Sequence, residues 1–260
     1  MDIFLYIIFF IMGITFGSFY TLAVYRIPKK QDITHTHSYC PNCNHKLGIL
    51  DLIPVFSYIF LGAKCRYCGQ KIRPRYFILE TLSGVMFIIF AYLLKMSVYN
   101  MNKIVIFEYC FLILYFTFIV LMAGIDKEKK NINKSVLVYG IVISMLYMIY
   151  LYIIENTSID RYVIYLLISI LFLWLAKNIK KESNIYAYSI VTILMVMTIF
   201  TGEWTTIITS ITTLLALLIY KLIKKIIMKK KEKEPIPIGF FLAFTNILYM
   251  IIFMLLLRNS

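Results

Sequence analysis

Residues 104–124 read IVIFEYCFLILYFTFIVLMAG, twenty-one residues with one carboxylate, Glu108, and no base. An α-helix rises about 1.5 Å per residue, so a run of this length and character crosses the roughly 30 Å of bilayer hydrocarbon. Working outward, comparable runs occur at 3–24, 76–95, 135–154, 161–176, 186–201, 205–222 and 239–257. The runs at 161–176 and 186–201 are shorter than the rest, a length shared with re-entrant or half-buried segments. Across 260 residues the chain is 61% hydrophobic and only 15% charged, too little polar surface to cover a water-soluble globule. The expected fold is an all-α polytopic membrane protein of about eight transmembrane helices. Its first helix begins with Asp2 where a secretory signal would be basic, and its apolar stretch is too long for one.

Lys and Arg are retained on the cytoplasmic side of a membrane, so their distribution sets orientation. With the N-terminus outside, the inner loops hold 23 of the 27 basic residues: nine in 26–75, four in 127–134, three in 177–181 and seven in 221–233. Lys95, Lys103, Arg161 and Arg258 remain outside. The net charge of +14 is then topological bias together with attraction to anionic lipid, and it implies no nucleic-acid partner.

One sizeable polar segment, 26–75, interrupts the bundle after the first helix and holds four of the five cysteines, in CPNC at 40–43 and CRYC at 65–68. Two Cys-x-x-Cys knuckles at this separation match the spacing of a tetrahedral thiolate site for structural zinc, with Cys40, Cys43, Cys65 and Cys68 as ligands. Disulfides are the competing reading, but the expected topology puts the insert in the reducing cytoplasm. His35, His37 and His45 lie nearby and are expected to be loop residues, and Cys110 is expected to pack as a small hydrophobe. Glu80 falls inside an apolar span, where a carboxylate needs a partner or an interface. Two readings stand for it: an interfacial residue bonded to Arg75 or another base of the inner loop, or part of a methyl-transfer or substrate groove.

Three stretches in order, GSFYTLAVYRIPK at 17–29, DLIPVFSYIFLGAKCRYCG at 51–69 and IRPRYFILETLSG at 72–84, resemble the N-terminal half of the bifunctional type IV prepilin peptidases. Thr21 stands where that family usually has Asn, and Ala63 where it usually has Gly. The resemblance implies a membrane enzyme of the bacterial inner membrane that cuts leaders from prepilins or pseudopilins by an aspartic mechanism. It further implies N-methylation of the new N-terminus with S-adenosylmethionine. Residues 1–95 then form the peptidase/methyltransferase-like region with its zinc insert, and 96–260 the aspartyl-peptidase-like bundle.

Aspartyl chemistry needs two carboxylates sharing a proton around one water, converging on one membrane side. The resemblance assigns the first to Asp126 in GIDKEKKNINKS at 124–135, where Asn133 replaces the family's usual proline and Lys134 the acid or amide after it. The second belongs to a Gly-x-Gly-Asp motif some 60 residues on, and no Gly-Asp occurs in the chain. The expected register falls on NIYAYSIV at 184–191, with Asn184 and Tyr186 replacing the glycines and Ala187 the aspartate. Asp160 and Glu203 fall on the opposite side, Glu232 and Glu234 in a solvated Lys-rich loop, and Glu128 points away from Asp126. Glu182 is the remaining candidate for the second acid. Three functions follow: a working prepilin peptidase; a member that has lost proteolysis but keeps methyl transfer or prepilin binding; and a zinc-bearing membrane scaffold. The sequence leaves the oligomeric state open.

Overall fold

In a computed structural model, residues 2–35, 37–155, 159–177, 181–228 and 236–259 are described. They form an all-helical chain with no extended strand among them. Helices occupy each of the eight expected segments. By length and composition six can cross a membrane: Asp2–Lys29, Arg75–Leu93, Lys103–Lys129, Lys134–Ile154, Glu203–Lys224 and Ile238–Arg258. Tyr186–Thr201 is a shorter apolar helix, and the other short candidate, 161–176, lies within a helix spanning Ile159–Lys177. The chain is a multi-pass membrane protein.

The chain divides into two compact units, Met1–Ile113 and Leu114–Ser260. In the first, α1 (Asp2–Arg26) packs along α3 (Arg75–Leu93), with the polar insert and the short α2 (Phe56–Phe60) between them in sequence. Small residues let the two backbones nearly touch, the usual device where lipid gives helices no hydrophobic reason to associate. A Cβ on Gly17 would lie 2.6 Å from the Glu80 Cα, and one on Gly13 would lie 2.6 Å from the Ser83 carbonyl oxygen. Aromatic rings fill the space beside this seam: Phe16 meets Phe87 at 5.4 Å, and Phe9 meets Tyr109 at 4.7 Å.

The second unit contains the C-terminal part of α4 (Lys103–Lys129), then α5 (Lys134–Glu155), α6 (Ile159–Lys177), α7 (Lys181–Thr201), α8 (Glu203–Met228) and α9 (Ile238–Asn259). Gly202, at a positive φ of 81° that suits glycine, turns α7 into α8 through a single residue. Its interior is built from Tyr115, Phe118, Ile119, Met122, Ile193 and Met197, all fully buried or nearly so. One polar node lies among them. Tyr115 donates to Asn246 Oδ1 at 2.6 Å, and Asn246 Nδ2 donates to Thr201 Oγ1 at 3.5 Å, joining α4, α9 and α7. Side chains such as Leu214, Leu215, Leu218 and Leu222 on α8 point outward, as they do toward lipid.

Candidate metal centre and candidate active site

Each Cys-x-x-Cys turn is closed by one antiparallel bridge, Tyr39 with Lys46 and Lys64 with Lys71. Within each, an amide returns to the first cysteine's carbonyl: Asn44 N–H to Cys40 at 2.8 Å and Gly69 N–H to Cys65 at 2.9 Å. These tight turns need left-handed backbone, supplied by Asn44 and Gly69. The result brings the sulfurs of Cys40, Cys43, Cys65 and Cys68 within 4.8 Å of one another. Cys40 and Cys68 are 3.9 Å apart, close to the roughly 3.8 Å edge of a tetrahedron with about 2.3 Å metal–sulfur bonds. The donor set could hold a metal ion, and four soft thiolates in this geometry suit zinc.

Hydrogen bonding around the cluster favours thiolate at one position. The Gln70 amide and the Asn42 side chain hold the Cys68 thiol down at about 6, whereas Cys43 is pushed up to about 11 by burial and by its neighbours Cys40 and Cys68, against the His45 amide that acts to lower it. The two knuckles are tied together by Asp51 in the loop between them. Its Oδ1 accepts from Arg66 Nε at 2.7 Å, and its Oδ2 accepts from the Tyr67 hydroxyl and the Gly48 amide, both at 3.1 Å. The His45 ring lies 3.6 Å from that of Tyr67, adding a contact from first knuckle to second. Sequence reasoning placed His45 as a loop residue and gave Asp51 no task beyond its motif.

Glu80 is buried beside Gly17, and its Oε2 accepts from the Val55 amide at 2.7 Å. Ser18 also hydrogen-bonds this carboxylate. Val55 and Ser18 are partners that the sequence alone did not suggest.

In the second unit, the last turns of α4 and the first turns of α7 and α9 meet at Asp126, which has no solvent exposure. The Tyr186 hydroxyl donates to Asp126 Oδ1 at 2.8 Å, and the Phe240 amide donates to Oδ2 at 3.2 Å. The Gly239 amide adds a third donor. Asp126 thus caps the N-terminus of α9 from another helix, satisfying amides that a helix start leaves unpaired. Glycine at 239 is what allows the approach, since a Cβ there would lie 2.8 Å from Met122 Sδ and 3.1 Å from Asp126 Oδ2. Lys127 Nζ sits 4.5 Å over the Phe240 ring beside this junction.

The residue facing Asp126 is therefore Tyr186, one position before the expected Ala187. Among the described residues no carboxylate acts on Asp126. Glu203 pairs with Arg161 at 2.6 Å, and it starts α8 beyond the far end of α7, whose end at Thr201 is about 22 Å along the helix from Tyr186. Glu128 is exposed in the last turn of α4. Glu182 is in the first turn of α7, and its side chain lies outside the described residues, as do Glu232 and Glu234.

Residues 11–94 match the family model of the bacterial peptidase A24 N-terminal domain. The chain is similar to the prepilin leader peptidase/N-methyltransferase of Klebsiella pneumoniae, 27% identical over 127 residues that make up 46% of this chain and 52% of that protein. It is 40% identical over 78 residues to the Myxococcus xanthus protein of the same description, covering 30% of this chain and 23% of the relative. With the Vibrio cholerae protein it shares 39% over 82 residues, 28% of this chain and 32% of the relative. The match spans about half the length of the first of these relatives and a third or less of the others. No solved structure matches the chain. The N-terminal region is thus similar to that of prepilin leader peptidase/N-methyltransferases, and no Gly-x-Gly-Asp motif occurs in the chain.

Proposed function

We propose that this chain processes prepilins or pseudopilins at the cytoplasmic face of the bacterial inner membrane, with its N-terminus outside and its zinc-binding insert inside. The observation that carries this reading is the ordered set of N-terminal motifs in a membrane chain that also buries one aspartate at a junction of three helix ends. In its peptidase form, Asp126 is one acid of the centre and Glu182, in the first turn of α7, is the other. The leader's basic segment stays in the cytoplasm while the pilin's apolar helix lies in the bilayer. The scissile bond then meets Asp126 at the boundary, where one carboxylate acts as base toward water and the other protonates the leaving amine.

A second reading is favoured by a specific observation: both oxygens of Asp126 already accept hydrogen bonds, from Tyr186 and from the start of α9. On that reading proteolysis has been lost and the N-terminal region keeps methyl transfer from S-adenosylmethionine, or prepilin binding. Zinc would be held by Cys40, Cys43, Cys65 and Cys68 and would fold the insert. In a non-enzymatic scaffold the same insert would serve a partner subunit alone.

Co-expression with a prepilin in a host lacking other such peptidases separates these forms. Leader cleavage that disappears in both Asp126→Ala and Glu182→Ala establishes the peptidase with a rebuilt acid pair. No cleavage by the unaltered protein, with retained binding of the methyl donor, establishes the second reading. Failure of both, with a partner co-purifying regardless of Asp126, leaves the scaffold.

A further inference from the structure

The insert contains an apolar stretch that belongs to no transmembrane helix. Residues 49–61, ILDLIPVFSYIFL, connect the two knuckles, and their large side chains are turned outward: Ile49 is 86% exposed, Leu50 65% and Phe60 83%, with Ile53, Phe56 and Ile59 exposed as well. The one residue in the stretch that carries a charge at neutral pH, Asp51, has a side chain only 5% exposed and is paired with Arg66. A surface so apolar and uncharged is foreign to a loop in water.

Its depth is fixed by a hydrogen bond. Val55, near the middle of the stretch, gives its amide to Glu80, which lies five residues into the membrane-crossing helix α3. At about 1.5 Å per residue, that is some 7–8 Å below the basic start of the helix at Arg75. The Cα of Glu80 lies against Gly17, nine residues before the basic end of α1 at Arg26. Two independent helices therefore put the tie on the membrane side of their basic ends.

Irregular backbone in hydrocarbon is tolerated only where its polar groups are satisfied within the protein. The stretch meets that condition at its least regular point. Val55 has a φ of 65°, unusual for a β-branched residue, and its amide is the one Glu80 accepts. Around it the Ser57 amide donates to Ile53, the Ile59 amide to Val55 and the Leu61 amide to Ser57. Asp51, bonded to Arg66, Tyr67 and Gly48, marks where the stretch returns to the polar knuckles.

We propose that residues 49–61 form a re-entrant segment that dips into the bilayer, with lipid as the occupant of its apolar surface and Glu80 as the residue that holds it at depth. The zinc-type knuckles then sit against the membrane surface on a greasy foot. This inference does not depend on which form of the enzymatic reading holds.

Fluorescence quenching tests it in the full-length protein. With Trp174 and Trp204 replaced by Phe, a single indole is introduced as Phe60→Trp or as Ile49→Trp, and the protein is reconstituted in vesicles of lipids brominated in their acyl chains. The expected result is blue-shifted emission, loss of emission in the brominated vesicles relative to unbrominated ones, and little quenching by aqueous iodide. Adding Glu80→Ala to the Phe60→Trp protein is expected to reverse this pattern, while bound metal, measured in parallel, stays unchanged and reports a folded insert. Iodide quenching without bromolipid quenching at both positions, in protein that retains its metal, overturns the proposal. If that quenching is suppressed by added prepilin, the surface is a docking face for an apolar helix and the proposal is equally overturned.

Discussion

The hydroxyl of Tyr186 and the carboxylate of Asp126 are joined by a 2.8 Å hydrogen bond across 60 residues of chain. The phenol acts as a donor to the buried carboxylate. Removing it leaves a buried carboxylate one donor short. For hydrogen bonds to charged groups that loss is about 1.5–3 kcal/mol, so Tyr186→Phe is expected to lower the melting temperature of the reconstituted protein. An unchanged melting temperature would mean that the bond is not maintained in the membrane.

Asp126 itself should be more sensitive to the kind of substitution than to the loss of charge. Asn keeps one acceptor for the Phe240 and Gly239 amides, whereas Ala leaves those amides and the Tyr186 hydroxyl without a partner. Asp126→Ala is expected to be less stable than Asp126→Asn by about 1–3 kcal/mol, read from thermal unfolding in lipid. Equal losses would argue against the capping of α9.

One metal ion per chain is expected by elemental analysis, falling toward zero in Cys40→Ser or Cys68→Ser. A structural zinc contributes on the order of 10 kcal/mol to folding small domains, so chelation should expose residues 26–75 to protease while the transmembrane bundle persists. An insert that resists protease after complete chelation would show that Asp51 and the aromatic contacts suffice to fold it.

Asp51 gives the insert a defined response to acid. Burial opposes its charge, but the Gly48 amide, Arg66 and Tyr67 outweigh it and hold the carboxyl below its usual range. A depressed folded-state value means that this stabilisation is complete above the unfolded value near about 3.9 and disappears as pH falls through the folded value. The difference in melting temperature between the native protein and Asp51→Asn is therefore expected to be constant at neutral pH and to shrink only in strong acid. An offset that persists into strong acid would mean that shape, and not charge, carries the link.

At the α1–α3 seam, Gly17→Ala would drive a methyl against the Glu80 backbone at 2.6 Å, where no flexible side chain can yield. Separation of the helices is expected to cost about 1–3 kcal/mol, and release of the Val55 amide should accompany it. Hydrogen exchange at Val55 checks the second effect independently of global stability.

The helices were legible in the sequence because lipid imposes one rule, a run of apolar residues long enough to span it, and every expected segment is helical. The cysteine cluster was legible because two Cys-x-x-Cys turns carry their own geometry. The partners of buried polar groups were not. Glu80 finds an amide 25 residues away in a loop of unusual backbone, and Asp126 finds a helix start 114 residues away. Such pairings follow from how helices cross, which apolar periodicity does not encode. Placing Ala187 opposite Asp126 relied on matching a motif, while the helix turns Tyr186 toward the carboxylate. The run of outward-facing apolar residues at 49–61 was in plain view, but its meaning depends on the depth at which Glu80 anchors it.

The glycine face of α1 has a bearing on the order of events during synthesis. Its mate on α3 is made some 65 residues later, so at about 5–20 residues per second the first helix waits on the order of several seconds in the bilayer before it can be paired. The cysteine turns emerge within that interval. Closing the cysteine cluster would shorten the tether between the waiting helix and its mate before the seam between Gly17 and Glu80 can form, and the contact of Phe9 with Tyr109 follows later still.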